Sequence, residues 1–305
     1  MILSLIANLI GLYGLLALPV AVSSTIDISA YAEQATVTLL SGVYRQNAPI
    51  RTNQDSLGMK VTANSAIVID QKSGTVLWQK NPDNIQPIAS LTKLISVLVW
   101  LDNSPGWATE VTVLGSDLRS GGRAYIYAGE KLLARDLFNL SLIPSSNNAI
   151  MALARSTGLT NEQFVAKMNE LAASLNMTST KFTEPTGLAP ENMSSAADLL
   201  KLAQAAFERE EIRSATVRPE YTFQVLNNNR SETVKNTDKL LNSYLRINAG
   251  KTGSLDESGY CLMSEVIGPD GQKVLIVVLG SLSDADRFQD VKSLAQWAFD
   301  NYTWQ

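Results

Sequence analysis

A serine three residues before a lysine, here Ser90 and Lys93, can pair a nucleophile with a base, because residues three apart share one helix face. The tetrad Ser90-Leu91-Thr92-Lys93 opens an apolar-periodic stretch, which puts the hydroxyl at a helix start, where free N–H groups and positive partial charge favour a developing oxyanion. An amine takes a proton only as the free base, so Lys93 must have a lowered pKa, through desolvation or a neighbouring cation. Ser145-Ser146-Asn147, between Pro144 and a helical run from Asn148 to Ser156, offers a hydroxyl to relay a proton and an amide to hold a peptide group. Lys251-Thr252-Gly253, after Ala249-Gly250 in an expected strand, offers a cation and a hydroxyl for a carboxylate, with small residues that let a substrate backbone lie along the strand edge. Taken singly, each motif has a plainer reading: a capping serine with a surface lysine, a helix N-cap, and a turn with a solvated lysine.

Composition narrows the chemistry. The chain has no histidine, which excludes a Ser-His-Asp mechanism and the histidine-rich metal hydrolase sites, leaving only carboxylate-bound hard cations as a metal option. Any hydrolytic base is therefore Lys, Asp, Glu or Tyr. Cys261 is the single cysteine, so neither an intrachain disulfide nor a cysteine zinc site can form, and its thiol is expected to be buried and inert. A net charge of -4 gives no electrostatic reason to bind nucleic acid. With 305 residues, 45% of them hydrophobic and 18% charged, the chain can bury a full core in one or two domains.

Those side chains need a scaffold. The run from Ile2 to Val22 is apolar and uncharged, and small residues at Ala21-Val22-Ser23 suit signal-peptidase cleavage, although the first basic residue is Arg45. Residues 1–23 are read as a signal peptide or membrane anchor, 24–62 as a polar stalk, and 63–305 as the catalytic domain. That places the protein outside the cytoplasm, with membrane contact through the N-terminal segment only. Ser65 to Gln79 reads as a hairpin with its turn at Gln71-Lys72-Ser73-Gly74. From Ser90 to about Glu211 the periodicity is helical, with Thr160 and Gln163 forming a capping box and Ser195 with Asp198 opening another helix. Strands return at Gly259 to Ile267 and Lys273 to Leu279, and an amphipathic helix runs from Asp284 to Tyr302. The expected fold is α/β: an antiparallel sheet built from the N- and C-terminal parts, flanked by helices, with a helical subdomain inserted and the site in the cleft between them.

In order and spacing the three motifs resemble the set shared by class A β-lactamases and penicillin-binding proteins. From about Ser65 to Tyr302 the chain resembles more closely the D-alanyl-D-alanine carboxypeptidase family of low-molecular-mass penicillin-binding proteins. The stretches that carry the likeness are Ile88 to Leu94, Pro144 to Ala149, Pro185-Thr186-Gly187-Leu188 and Val277-Val278-Leu279-Gly280. The resemblance implies a β-lactamase/transpeptidase-like fold and a peptidoglycan stem peptide or a β-lactam as partner. It implies an acyl-enzyme on Ser90 with Lys93 as base, and Ser145 relaying protons to the leaving amine. It also implies that Asn147 contacts the acyl side, that Lys251 and Thr252 hold the terminal carboxylate beside Gly253, and that the N–H groups of Ser90 and Ser254 form the oxyanion hole. No cofactor and no metal is required. Leu255 departs from the threonine often found two residues after the K-T-G glycine, and bears on deacylation. The chain stops soon after its last helix, which leaves any membrane attachment to the N-terminus. Three rival readings share the motifs. A D,D-endopeptidase acting on cross-links uses the same residues. A slowly deacylating β-lactam- or wall-binding protein would keep the pocket. A β-lactamase would use Glu184, but the asparagine that should accompany that glutamate is missing.

Overall fold

The computed structural model describes residues 48–305; the apolar N-terminal run and residues 24–47 of the expected stalk lie outside the described residues. Strand β1 is Ile50–Arg51, and the hairpin strands are β2 (Ser65–Asp70) and β3 (Val76–Lys80), followed by the short β4 (Gln86–Pro87). All six residues of β2 are buried, and the reason lies in the two sides of the sheet. Ile67 and Ile69 face one apolar core, while Ala66 and Val68 face another, so the strand reads as a continuous hydrophobic run with no polar alternation.

The chain then enters helix α1 (Lys93–Asp102), strands β5 (Glu110–Thr112) and β6 (Lys131–Leu133), and helices α2 (Ala134–Leu142), α3 (Asn147–Ser156) and α4 (Asn161–Ser174). Strand β7 (Met193–Ser194) pairs with β4, and helices α5 (Ala196–Phe207) and α6 (Glu210–Thr216) complete the helical part. A hairpin of β8 (Glu220–Gln224) and β9 (Ser231–Lys235) leads to the long strands β10 (Arg246–Leu255), β11 (Gly259–Ile267) and β12 (Lys273–Ser281). Helix α7 (Asp284–Asn301) and strand β13 (Tyr302–Thr303) end the chain. Helix α1 is buried from Lys93 to Trp100, which makes it the hub of the helical part rather than a surface helix. Thr160 caps α4 in the expected box with Gln163, and Ser195 caps α5 by accepting from Asp198 N.

The five-stranded sheet has the order β10-β11-β12-β2-β3 and every pairing is antiparallel. The β12–β2 pairing, Leu279 opposite Ser65 through Val274 opposite Asp70, is the seam that joins the two ends of the chain. Helix α7 covers one face with Phe288, Val291, Leu294 and Ala298; the helical part covers the other. Strand β10 is therefore an open edge facing the helical subdomain.

Residues 48–62, read from sequence as the end of a polar stalk, lie against this body. Strand β1 pairs with β13, Val61 is buried, and the Asp290 carboxylate accepts from Thr62 N at 2.9 Å, Thr62 Oγ1 at 2.8 Å and Ala63 N at 3.0 Å. A polar segment without periodicity is ordered here by side-chain-to-backbone bonds that no local pattern announces. Among the described residues no helix is long and apolar enough to cross a membrane.

Candidate active site

Ser90 sits in a 3-10 turn, Ala89–Thr92, immediately before α1, and Lys93 is the first residue of α1. The expectation that both lie in one α-helix is corrected in detail: in a 3-10 turn side chains at i and i+3 eclipse, which stacks amine and hydroxyl directly. Lys93 Nζ lies 2.7 Å from Ser90 Oγ, 2.7 Å from Asn147 Oδ1 and 2.7 Å from the Thr186 carbonyl oxygen. Two of those partners are carbonyl oxygens and can only accept. A neutral amine that donates its two hydrogens to them presents its lone pair to the third partner, the Ser90 hydroxyl, which can donate.

The turn is gripped by glycines on both sides. Gly187 has φ +82, and a Cβ there would stand 2.0 Å from the Ala89 carbonyl oxygen; at Gly253 it would stand 3.0 Å from Ser90 N. Ala89 itself is held at φ +48, a left-handed conformation that costs on the order of 1–2 kcal/mol for a residue with a side chain. Gly187→Ala is expected to destabilise the fold by about 3 kcal/mol or more, seen as a melting temperature lower by roughly 5–10 °C. Nucleophile reactivity should fall with it, and a melt and a labelling rate unchanged from the parent chain would show that the turn does not depend on this contact.

Ser145 lies in the connection between α2 and α3 at φ +60, and Ser146 is the N-cap of α3, accepting from Ala149 N at 3.3 Å. The N-cap reading of this motif is thus true of Ser146, while Ser145 points elsewhere: Lys251 Nζ donates to Ser145 Oγ at 2.8 Å and to the Thr252 carbonyl at 2.9 Å. Asn147 uses both ends of its amide, Oδ1 to Lys93 and Nδ2 to the Gly121 carbonyl at 3.1 Å. The readings of Lys93 as a surface lysine and Lys251 as a solvated one are overturned, since the two residues are 0% and 2% exposed.

Burial decides their proton affinities. Removal from water brings the Lys93 amine down to about 7, against the opposing charge of Glu184. Lys251 falls well below the ordinary lysine range, first through burial and then through the positive charges of Lys93 and Arg287, with Asp238 acting in the other direction. Repulsion between the amines acts on Lys251, after burial; the Lys93 amine is lowered by burial alone. Cys261 is buried, and burial raises its thiol pKa, which leaves it protonated and unreactive.

These groups open on a cleft of about 330 Å³ whose wall includes Ser90, Ser145, Asn147, Thr252, Gly253 and Ser254. Every sequence-derived site residue therefore reaches one place, with Lys93 and Lys251 just beneath it. The sequence reading missed Gly121, Gly122, Thr237 and Arg287, which line the same cleft. Thr237 Oγ1 lies 2.5 Å from Thr252 Oγ1, and Arg287 donates to the Gly253 carbonyl at 2.9 Å while stacking on Tyr260 and Phe288. Leu188 and Leu255 add apolar walls. Glu184, weighed from sequence as a possible water activator, has both carboxylate oxygens taken: Thr186 N at 2.6 Å, Thr186 Oγ1 at 2.6 Å and Gly187 N at 2.5 Å. It caps the Pro-Thr-Gly turn.

Comparison with known proteins places this geometry. The sequence profile of the D-alanyl-D-alanine carboxypeptidase family matches residues 48–283. The chain belongs to that family. A D-alanyl-D-alanine endopeptidase of Pseudomonas aeruginosa is 32% identical over 244 residues, covering 79% of this chain and 78% of the relative. A D-alanyl-D-alanine carboxypeptidase of Bacillus subtilis is 28% identical, covering 79% and 63%. The crystal structure of the Streptomyces K15 DD-transpeptidase superposes with a TM-score of 0.74 at 26% identity, over 80% of this chain and 100% of that one. The protein is a serine-type D-alanyl-D-alanine peptidase with the α/β fold of the K15 DD-transpeptidase, and the family acts on the D-Ala-D-Ala stem peptides of the bacterial cell wall.

Proposed function

We propose that this protein removes the terminal D-alanine of peptidoglycan stem peptides through an acyl-enzyme on Ser90. The observation that carries the reading is the buried Lys93 amine at 2.7 Å from the Ser90 hydroxyl, with only carbonyl oxygens as its other partners. Lys93 takes the Ser90 proton as Oγ attacks the penultimate D-Ala carbonyl, and the N–H groups of Ser90 and Ser254 receive the oxyanion. Ser145, bonded to Lys251, passes a proton to the leaving amine. Lys251 and Thr252 hold the terminal carboxylate, Gly253 lets the peptide approach the strand edge, and Asn147 faces the acyl portion. Water then attacks the ester, releasing the shortened peptide and restoring Ser90. A β-lactam enters the same reaction and stalls at the acyl-enzyme. The apolar N-terminal run supports export, with the enzyme working at the outer face of the cell membrane or in the periplasm.

A second reading has its own support: the Pseudomonas aeruginosa relative at 32% identity is an endopeptidase. The chemistry is identical when the leaving amine belongs to a cross-linked neighbour instead of free D-alanine. Mass spectrometry of products from monomeric and cross-linked muropeptides separates the two. Loss of one alanine from monomers is the expected result; conversion of dimers to monomers, with monomers untouched, would establish the endopeptidase instead.

A further inference from the structure

A second cavity, of about 290 Å³, opens in the helical part, and it shares no lining residue with the catalytic cleft. It lies where α3, the start of α4 and the 3-10 turn Gly115–Asp117 meet. Its floor is apolar: Met151 from α3, Leu159 from the connection to α4, and Phe164 from α4. Ligand cavities begin at about 300 Å³, so this size suits a short aliphatic chain better than a peptide.

The charges on its wall are unequal. Asp117, only 2% exposed, accepts from Arg155 Nε at 2.9 Å and Nη2 at 2.7 Å, and from Leu114 N at 2.8 Å. Those two side chains cancel one another. Arg119 is exposed and bonds only through Nη1, to the carbonyl oxygens of Ser116 at 2.7 Å and Leu118 at 2.9 Å. Among the described residues its Nε and Nη2 meet no acceptor, and no carboxylate pairs with it. Glu162, at the start of α4, is exposed and lines no part of the cavity. One uncompensated cation over an apolar floor complements a ligand with an aliphatic body and a single anionic end, and a planar carboxylate fits paired guanidinium N–H groups.

Two elements tie this cavity to the cleft. Along α3, Asn147, Met151 and Arg155 are spaced four apart and share one helix face, with Asn147 at the cleft and the other two at the cavity. Along the chain, Arg119 walls the cavity and Gly121 walls the cleft. Arg119 N donates to Asn148 Oδ1 at 2.9 Å, and the Gly121 carbonyl accepts from Asn147 Nδ2 at 3.1 Å. Asn147 in turn accepts from Lys93 Nζ at 2.7 Å. A ligand that draws on Arg119 therefore pulls on the segment that positions Asn147.

We propose that this cavity is a second binding site, for a small aliphatic carboxylate, and that its occupancy is felt at Ser90 through Arg119, Gly121 and Asn147. Binding at the cavity is independent of the peptidase reading above; its effect on Ser90 rests on that reading.

Sodium octanoate, kept below its micellar concentration, is the probe. The full chain labelled with 13C-methyl methionine is the reporter, with Met151 assigned through Met151→Leu. The expected result is a saturable shift of the Met151 methyl resonance with a Kd of about 1 mM or below, present also after a penicillin has acylated Ser90. Arg119→Gln, at an exposed position, should weaken octanoate about tenfold, and 1-octylamine should bind the parent chain at least about tenfold more weakly than octanoate does. Saturating octanoate should change the rate of penicillin acylation about twofold or more in the parent chain and leave it unchanged in Arg119→Gln. A Met151 resonance that stays still to about 10 mM, equal affinity for octanoate and octylamine, or complete loss of binding on acylation overturns the site. Octanoate that binds without altering acylation overturns the coupling to Ser90. If the parent chain is not acylated at all, the peptidase reading fails, and the octanoate titration still judges the cavity.

Discussion

Ser90→Ala is expected to abolish covalent labelling by a fluorescent penicillin and to reduce D-alanine release by roughly 10⁴–10⁶-fold, the range seen when a catalytic nucleophile is removed. The fold should survive, because Lys93 keeps its bonds to Asn147 Oδ1 and the Thr186 carbonyl, and Ser90 is only half-buried. The experiment discriminates because the cleft holds two serine–lysine pairs, Ser90 with Lys93 and Ser145 with Lys251, at 2.7 and 2.8 Å. What separates them is their setting. Ser90 stands at the start of a helix, gripped between Gly187 and Gly253, where a carbonyl can approach backbone N–H groups; Ser145 stands in a loop at φ +60. Ser145→Ala should therefore still label, at a reduced rate. Undiminished labelling of Ser90→Ala, located by peptide mapping at Ser145 or elsewhere, would move the nucleophile.

Much of this arrangement was legible in the residues, and the reasons differ by part. The sheet could be read because β2 and β12 are β-branched runs bounded by turns, and two such ends enclosing helices close most simply into one sheet. The three motifs were legible because their chemistry is local: three-residue spacing sets Ser90 against Lys93 whether the turn is α or 3-10. Their convergence was not a local property. Lys251 reaches Ser145 across 106 positions, and nothing near either residue states that contact. Arg287 was hidden for the same reason, being a cation on an amphipathic helix whose pattern suits a solvated side chain equally well. Asp238 and Thr237 lie in a segment with no period at all. The packing of residues 48–62 escaped because their order comes from Asp290, more than two hundred residues away.

The steepest dependence expected of the reaction is on pH, and it follows from the charge on a single amine. Lys93 can accept the Ser90 proton only when neutral, and burial sets that change at about 7. Two units lower, at pH 5, only about 1% of the amine is free, so the acylation rate should fall about tenfold per unit below pH 7 and level off above it. The direction is fixed by the sign of the shift: desolvation disfavours the ammonium, lowers its pKa and extends the active range downward into neutral pH. An unshifted lysine would instead confine activity to strongly alkaline solution. Lys93→Arg retains a cation that cannot deprotonate, so it should lose about 10³-fold or more in acylation at every pH, with no recovery at pH 10. Stopped-flow acylation by a penicillin from pH 5 to 10, on the parent chain and on Lys93→Arg, measures both effects. A flat profile in the parent chain, or an arginine variant that acylates normally, would leave the proton of Ser90 without an acceptor in this cleft and would require a different base.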